Sequence, residues 1–162
     1  MVTTQLNTLV SVLQPAVNPV DPNAPAGPGN GPLANVNLPP SPITMMKAAE
    51  GDFMSAKYDL AISGYREVLE KFPTSPQAAD AQYWIAESFY SQGKCRDAIP
   101  EYDKLTRNFK DSRWLPDAYL MQGICYDELK QTANATKMYN VVTKQYPQSD
   151  AATQALQRLA RR

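Results

Sequence analysis

Residues 114–147 read WLPDAYLMQGICYDELKQTANATKMYNVVTKQYP, and the spacing within them decides the fold. Gly123, Tyr126, Ala135, Tyr139, Val142 and Pro147 stand at steps of 3, 9, 4, 3 and 5. One unit earlier come Ala86, Phe89, Ala98, Tyr102 and Leu105, with Lys110 in place of the proline. One unit earlier again come Ala49, Ala61, Tyr65, Val68 and Pro73, with Asp52 and then Phe53 where the aromatic is due. Ala61, Ala98 and Ala135 are 37 residues apart, as are Tyr65, Tyr102 and Tyr139, Phe72, Phe109 and Tyr146, Ser75, Ser112 and Ser149, and Ala81, Ala118 and Ala155. A fixed period of this size marks a stacked helical array whose units share one continuous core. Such arrays are usually binding scaffolds, so the first expectation is a partner and not a reaction.

The chain has 162 residues, with 16 basic and 16 acidic side chains. Balanced charge argues against a nucleic-acid surface, which needs a basic stripe, and against a polybasic membrane patch. Asp21 is the only charged residue before Lys47, so the chain has two compositional zones. No histidine is present. That removes His-based acid–base catalysis and His metal ligation. Cys95 and Cys125 are the only thiols and match no zinc or redox motif. They read as two buried or half-buried thiols. A disulfide between neighbouring repeats is possible, and spacing alone does not establish one. No apolar run reaches the ~20 residues needed to span a bilayer. Residues 2–14 lack the basic start and small-residue cleavage site of a signal peptide, so an export signal, if used, is expected to have been removed or to lie outside this sequence.

Residues 1–14 carry Leu6, Leu9, Val10 and Leu13 on one helical stripe. They read as a short amphipathic segment, either a frayed terminus or the end of a coiled coil. Residues 15–42 hold nine of the 14 prolines. Proline removes the amide donor and fixes φ, so neither helix nor sheet propagates there, and this stretch reads as a disordered Pro/Asn/Gly-rich linker. From residue 43 to 162 the pattern is helical. First helices are expected at about 43–55, 77–92 and 114–129, second helices at about 58–72, 96–109 and 133–146, and a closing helix at about 150–161. Ser75 followed by Pro76 reads as an N-cap and a first-turn proline, and Ser149 or Asp150 caps the last helix. With Asp97 as N-cap, Pro100 falls in the first turn, where it costs no intrahelical bond.

The residue types at these steps are similar to the tetratricopeptide repeat, whose pattern is small–aromatic–Ala–aromatic–small–Pro. The resemblance implies an all-α, right-handed solenoid of three helix pairs plus a C-terminal capping helix. The extra residues over the usual period of about 34 are placed in the TSPQ and DSRW connections. The strings YDLAI..Y..VL..FP.SPQAADAQYWIAESFY, A...Y......F.DS and YP.SDAA..AL.RL narrow the match. Over about residues 45–160 they resemble the C-terminal domain of the YbgF/CpoB family of Tol–Pal-associated cell-division coordinators, most specifically at Tyr83, Trp84, Glu87 and Tyr90. That resemblance implies a periplasmic, non-catalytic module that binds TolA and links outer-membrane constriction to the peptidoglycan synthesis machinery. It also implies trimerisation, if an upstream coiled coil is present. BamD, the lipoprotein of the β-barrel assembly machine, is a relative with similar repeats, and it would need an N-terminal lipobox cysteine. A generic adaptor built from the same repeats is a further alternative.

In stacked repeats the first helix of each pair lines the concave surface. By register, the inner positions are Glu50, Phe53 and Met54, then Asp80, Tyr83, Glu87 and Tyr90, then Asp117, Leu120, Ile124, Asp127 and Glu128. Apolar anchors with acidic neighbours suit a peptide carrying apolar and basic residues. Tyr83 and Trp84 are adjacent and point about 100° apart on a helix, so Tyr83 is assigned to the groove and Trp84 to packing between repeats. Asp127 and Glu128 also read as a solvated helix end, and Met45, Met46 and Met54 as core or a capping surface. Trp114 is expected to staple its loop to the following helix. No cofactor is expected. Without a histidine, a Gly-rich phosphate loop or a metal cluster, catalysis has nothing to build on. Asp127 and Glu128 diverge on a helix and cannot converge on one glycosidic bond.

Overall fold

In a computed structural model the described residues are 40–161, and they form seven helices and no strand. The expected segment 1–14 and almost all of the linker 15–42 lie outside them. The helices are α1 (Pro42–Met54), α2 (Tyr58–Lys71), α3 (Gln77–Ser91), α4 (Cys95–Asn108), α5 (Leu115–Glu128), α6 (Thr132–Gln145) and α7 (Asp150–Ala160). Each packs on its neighbours in sequence, and α1 also touches α3 while α5 touches α7. The result is the expected all-α array of tetratricopeptide type, three helix pairs closed by α7.

The period reappears in the core. Ala61, Ala98 and Ala135, with Tyr65, Tyr102 and Tyr139, are all 0% exposed. So are Val68, Leu105 and Val142 on the same helices. Small side chains set the helix spacing and tyrosine rings fill the gaps between units. The closest approach is at Gly123, where a Cβ would stand 2.7 Å from Tyr139 Cδ1. No real side chain fits there unless the buried ring moves.

The turn inside each pair is also repeated. Ala56, Gly93 and Lys130 occupy the left-handed region at φ 56°, 70° and 60°. In each case the next residue's amide bonds back over the helix end, Lys57 to Asp52, Lys94 to Phe89 and Gln131 to Tyr126, at 2.8–2.9 Å. This is the Schellman closure, which satisfies helix-end carbonyls and favours glycine at the left-handed residue. Only the middle turn has that glycine, so Ala56 and Lys130 hold a conformation that costs about 1–2 kcal/mol for a residue with a Cβ. The longer connections, 72–76 and 109–114, fall between pairs, at the TSPQ and DSRW stretches.

Helix starts differ from the sequence reading at two places. Ser75 does not cap α3 with its side chain. Pro76 is the N-cap, Ala78 N–H donates to the Ser75 carbonyl, and Ser75 Oγ is buried without a hydrogen-bond partner. Asp97 does not cap α4 either. Lys94 stands at the N-cap position without a side-chain bond, which puts Pro100 at the sixth helical position. The proline therefore removes the bond to the Arg96 carbonyl. Both residues are exposed, and α4 runs unbroken. Ser149 caps α7 as expected, its Oγ accepting from Ala152 N–H at 3.1 Å. Ser41 caps α1 in a reciprocal capping box with Thr44.

Candidate functional site

The faces of the first helices converge on one groove of about 320 Å³. Ile43, Met46, Lys47 and Glu50 come from α1, Gln77, Asp80 and Trp84 from α3, and Arg113 and Trp114 from the start of α5, and Tyr65 of α2 also reaches it. Asp80 organises one wall. Its Oδ1 accepts from Trp114 Nε1 at 2.5 Å and its Oδ2 from Arg113 Nη2 at 3.2 Å. The Arg113 guanidinium lies 4.6 Å from the centroid of the Trp114 ring. One carboxylate thus orients an indole and a cation together, and Trp114 staples the loop to the helices as expected.

Behind this wall the aromatic rings form a continuous cluster. Phe53 meets Trp84 edge-on at 5.2 Å, Trp84 meets Trp114 at 6.0 Å, and Tyr83 stacks on Trp114 at 4.2 Å with the planes 10° apart. Offset and edge contacts of this kind add to area burial and make the surface rigid. Rigid aromatic anchors beside paired charges are the usual make-up of an energetically dominant contact patch.

Tyr65 supplies the polar feature. In the second pair Tyr102 Oη donates to the Glu87 carboxylate, and in the third Tyr139 Oη donates to Asp127 Oδ2 at 2.8 Å. The equivalent Tyr65 hydroxyl is buried and has no hydrogen-bond partner, although the residue borders the groove. Burial, with the Glu50 charge nearby, pushes its pKa well up, so it stays a donor. An orphaned buried donor is costly until an acceptor reaches it.

Of the residues expected on the binding face, Glu50 and Asp80 line this groove and Phe53 packs against it. Tyr83 is corrected. It is only 8% exposed, held between Trp114 and the second-pair core, and is not a groove anchor. Trp84 does pack between the first and second clusters, and it also lines the groove, which the sequence reading did not assign to it. Leu120 and Ile124 are likewise corrected. They are buried in the cluster that receives α7 through Ala151, Ala152 and Ala155. Glu87 and Asp127 receive the tyrosine hydroxyls of their own pairs, and Tyr90 and Asp117 are half-buried away from the groove. The sequence reading missed Ile43, Lys47, Tyr65, Gln77 and Arg113. Ile43 among them is a large apolar side chain left 54% exposed.

Glu87 gives the site's surroundings a pH dependence. Burial raises its pKa above the ordinary 4.5, hydrogen bonds from Tyr102 and Tyr83 offset part of this, and the Asp117 charge adds to the rise. The folded state therefore holds this proton more tightly than the unfolded chain. Its stabilising contribution is full below about pH 4.5 and declines as pH climbs through the folded-state value. Asp117, also raised by burial, acts in the same direction. Glu87→Gln is expected to flatten the fall in urea midpoint as pH rises above about 4.5. An unchanged slope in the variant would contradict the assignment.

Among the described residues no helix is long and apolar enough to cross a membrane. The family model described as YfiO, outer membrane lipoprotein, matches residues 41–161. No curated protein matches the chain. Solved structures of similar fold include the Arabidopsis OM64 TPR domain, at 18% identity and TM-score 0.61, covering 74% of this chain and 94% of that one. The second TPR domain of human RPAP3, in complex with the HSP70 peptide SGPTIEEVD, is 17% identical with TM-score 0.61, over 74% and 98% of the two chains. The first TPR of Spaghetti (RPAP3), bound to the HSP90 peptide SRMEEVD, is 20% identical with TM-score 0.58, over 74% and 90%.

Proposed function

The chain belongs to the YfiO family of outer membrane lipoproteins, and from that premise we propose that it is a non-catalytic protein-interaction module of the cell envelope. Its groove between α1, α3 and the start of α5 holds an extended segment of a partner protein. The observation that carries this reading is the groove itself: an aromatic wall with a cation at Lys47 and another at Arg113. Solved TPR domains of the same fold hold peptides, which supports the mode of binding. Glu50, Phe53, Asp80, Trp84 and Arg113 make the contacts, with Ile43 and Met46 as the apolar edge.

The partner we assign is TolA-like, in the periplasm, with the role of coordinating outer-membrane constriction and peptidoglycan synthesis. The support is the residue resemblance over 45–160. A scaffold for outer-membrane protein assembly, of the BamD kind, is the second reading, and the family match favours it.

The test is a titration of the full chain with the periplasmic part of a TolA from the same source, followed by heat and by tryptophan fluorescence. Both tryptophans of the chain line the groove, so the optical signal reports on it directly. Saturable binding is expected, weakened about tenfold or more (~1.4 kcal/mol) by Arg113→Ala or Ile43→Asp with the helical circular dichroism unchanged. Binding that ignores both variants would remove the groove from the interface. Silence with TolA together with binding to barrel-assembly components would move the function to the second reading.

A further inference from the structure

We propose that Cys95 and Cys125 form an intramolecular disulfide that ties the second helix pair to the third. Cys95 opens α4 and Cys125 lies on α5, yet their sulfurs are 2.7 Å apart. A disulfide bond is about 2.05 Å long, so closure needs a shift of under about 1 Å. Both side chains are buried, at 3% and 0% exposure, and the chain has no other cysteine to compete. A partner molecule cannot reach either sulfur in the folded array. The pair is therefore placed for an internal cross-link and against a link between copies. The cell envelope supplies the oxidising setting in which such bonds persist.

The surroundings set the character of the bond. Burial pushes the Cys95 thiol up to about 11 and raises Cys125 as well. Neither is a thiolate at neutral pH, so the pair is a slow structural cross-link and not a redox catalyst. The oxidant is a second disulfide, of the glutathione class. Cys95 loses its proton to solvent, and the thiolate attacks the oxidant's disulfide. One glutathione thiolate leaves and a mixed disulfide remains. The Cys125 thiolate then attacks the Cys95 sulfur and expels the second glutathione. Two electrons pass from the protein sulfurs to the oxidant, and its two thiolates take up the two protons. The reaction runs while the chain is folding or the helix ends are open, since the folded array hides both sulfurs.

The cross-link is independent of what occupies the groove. To test it, the full chain is unfolded, refolded with oxidised and reduced glutathione, and alkylated under denaturing conditions before intact-mass analysis. The expected product is monomeric, two hydrogens lighter than the reduced chain and free of alkyl groups, and it takes up two alkyl groups after dithiothreitol. Its thermal midpoint is expected to exceed that of the reduced chain by about 5–10 °C. The Cys95→Ser/Cys125→Ser double variant controls for reductant effects and is expected to melt at one temperature with or without dithiothreitol. Two alkyl groups, glutathione adducts or linked dimers after oxidative refolding would overturn the proposal. So would a cross-linked chain that melts no higher than the reduced one.

Discussion

Tyr102→Ala will destabilise the array by about 3–5 kcal/mol, a large share of the roughly 5–15 kcal/mol that holds a domain of this kind together. The ring is 0% exposed and sits in the central cluster with Ala86, Cys95, Ala98, Leu105, Ala118 and Cys125. Removing it opens a cavity where three helices meet, and those helices are pinned by their own neighbours and cannot collapse into it. The hydroxyl adds a second loss, because the largely buried Glu87 carboxylate keeps only Tyr83 of its two tyrosine donors. Tyr102→Phe separates the two. It keeps the packing and takes one donor from the carboxylate, so it is expected to cost about 1–3 kcal/mol. Chemical denaturation followed by circular dichroism measures both. An alanine variant within about 1 kcal/mol of the parent would mean that this tyrosine is not the keystone its burial indicates.

Ala135→Leu carries the second large effect, in the opposite sense of volume. Ala98 and Ala135 are 0% exposed at equivalent places on α4 and α6. The methyl group already fills the space left to it, and leucine adds three carbons to a contact between packed helices. Overpacking of this kind forces side chains off their rotamers and moves backbone, at about 1–3 kcal/mol. Ala98→Leu is expected to match it, since the same register repeats. Equal and measurable losses at both positions support the 37-residue frame. Neutral behaviour at both would refute it.

The fold was legible because the repeat writes its packing rule three times. One alanine or one tyrosine says little, but the same residue at the same step in three units identifies a shared core. The groove was less legible, and α3 shows why. Ala78, Ala81, Gln82, Tyr83, Ile85, Ala86 and Ser88 are all buried on this one helix, so neighbours cover it from several sides. Polarity then carries no information about which face is open, and the roles of Tyr83 and Trp84 could not be separated by angle alone. The same holds for α5, where Leu120 and Ile124 point under α7. Arg113 escaped notice for a different reason. It precedes its helix, and its ion pair in the groove is with Asp80, which is 33 residues earlier in the chain. Distant pairing of that sort leaves no trace in local spacing. Where polarity is one-sided, as on α7, the buried Ala151, Ala152 and Ala155 share one face of the helix.

Because each helix leans mainly on those next to it in sequence, assembly needs few long loop closures. Low contact order of this kind places folding in the microsecond-to-millisecond range, without the slow search that distant strands impose. Order can start at any turn and spread outward, so no single end of the chain must be finished first. A protein crossing a membrane as an unfolded thread can then gain structure pair by pair as it emerges.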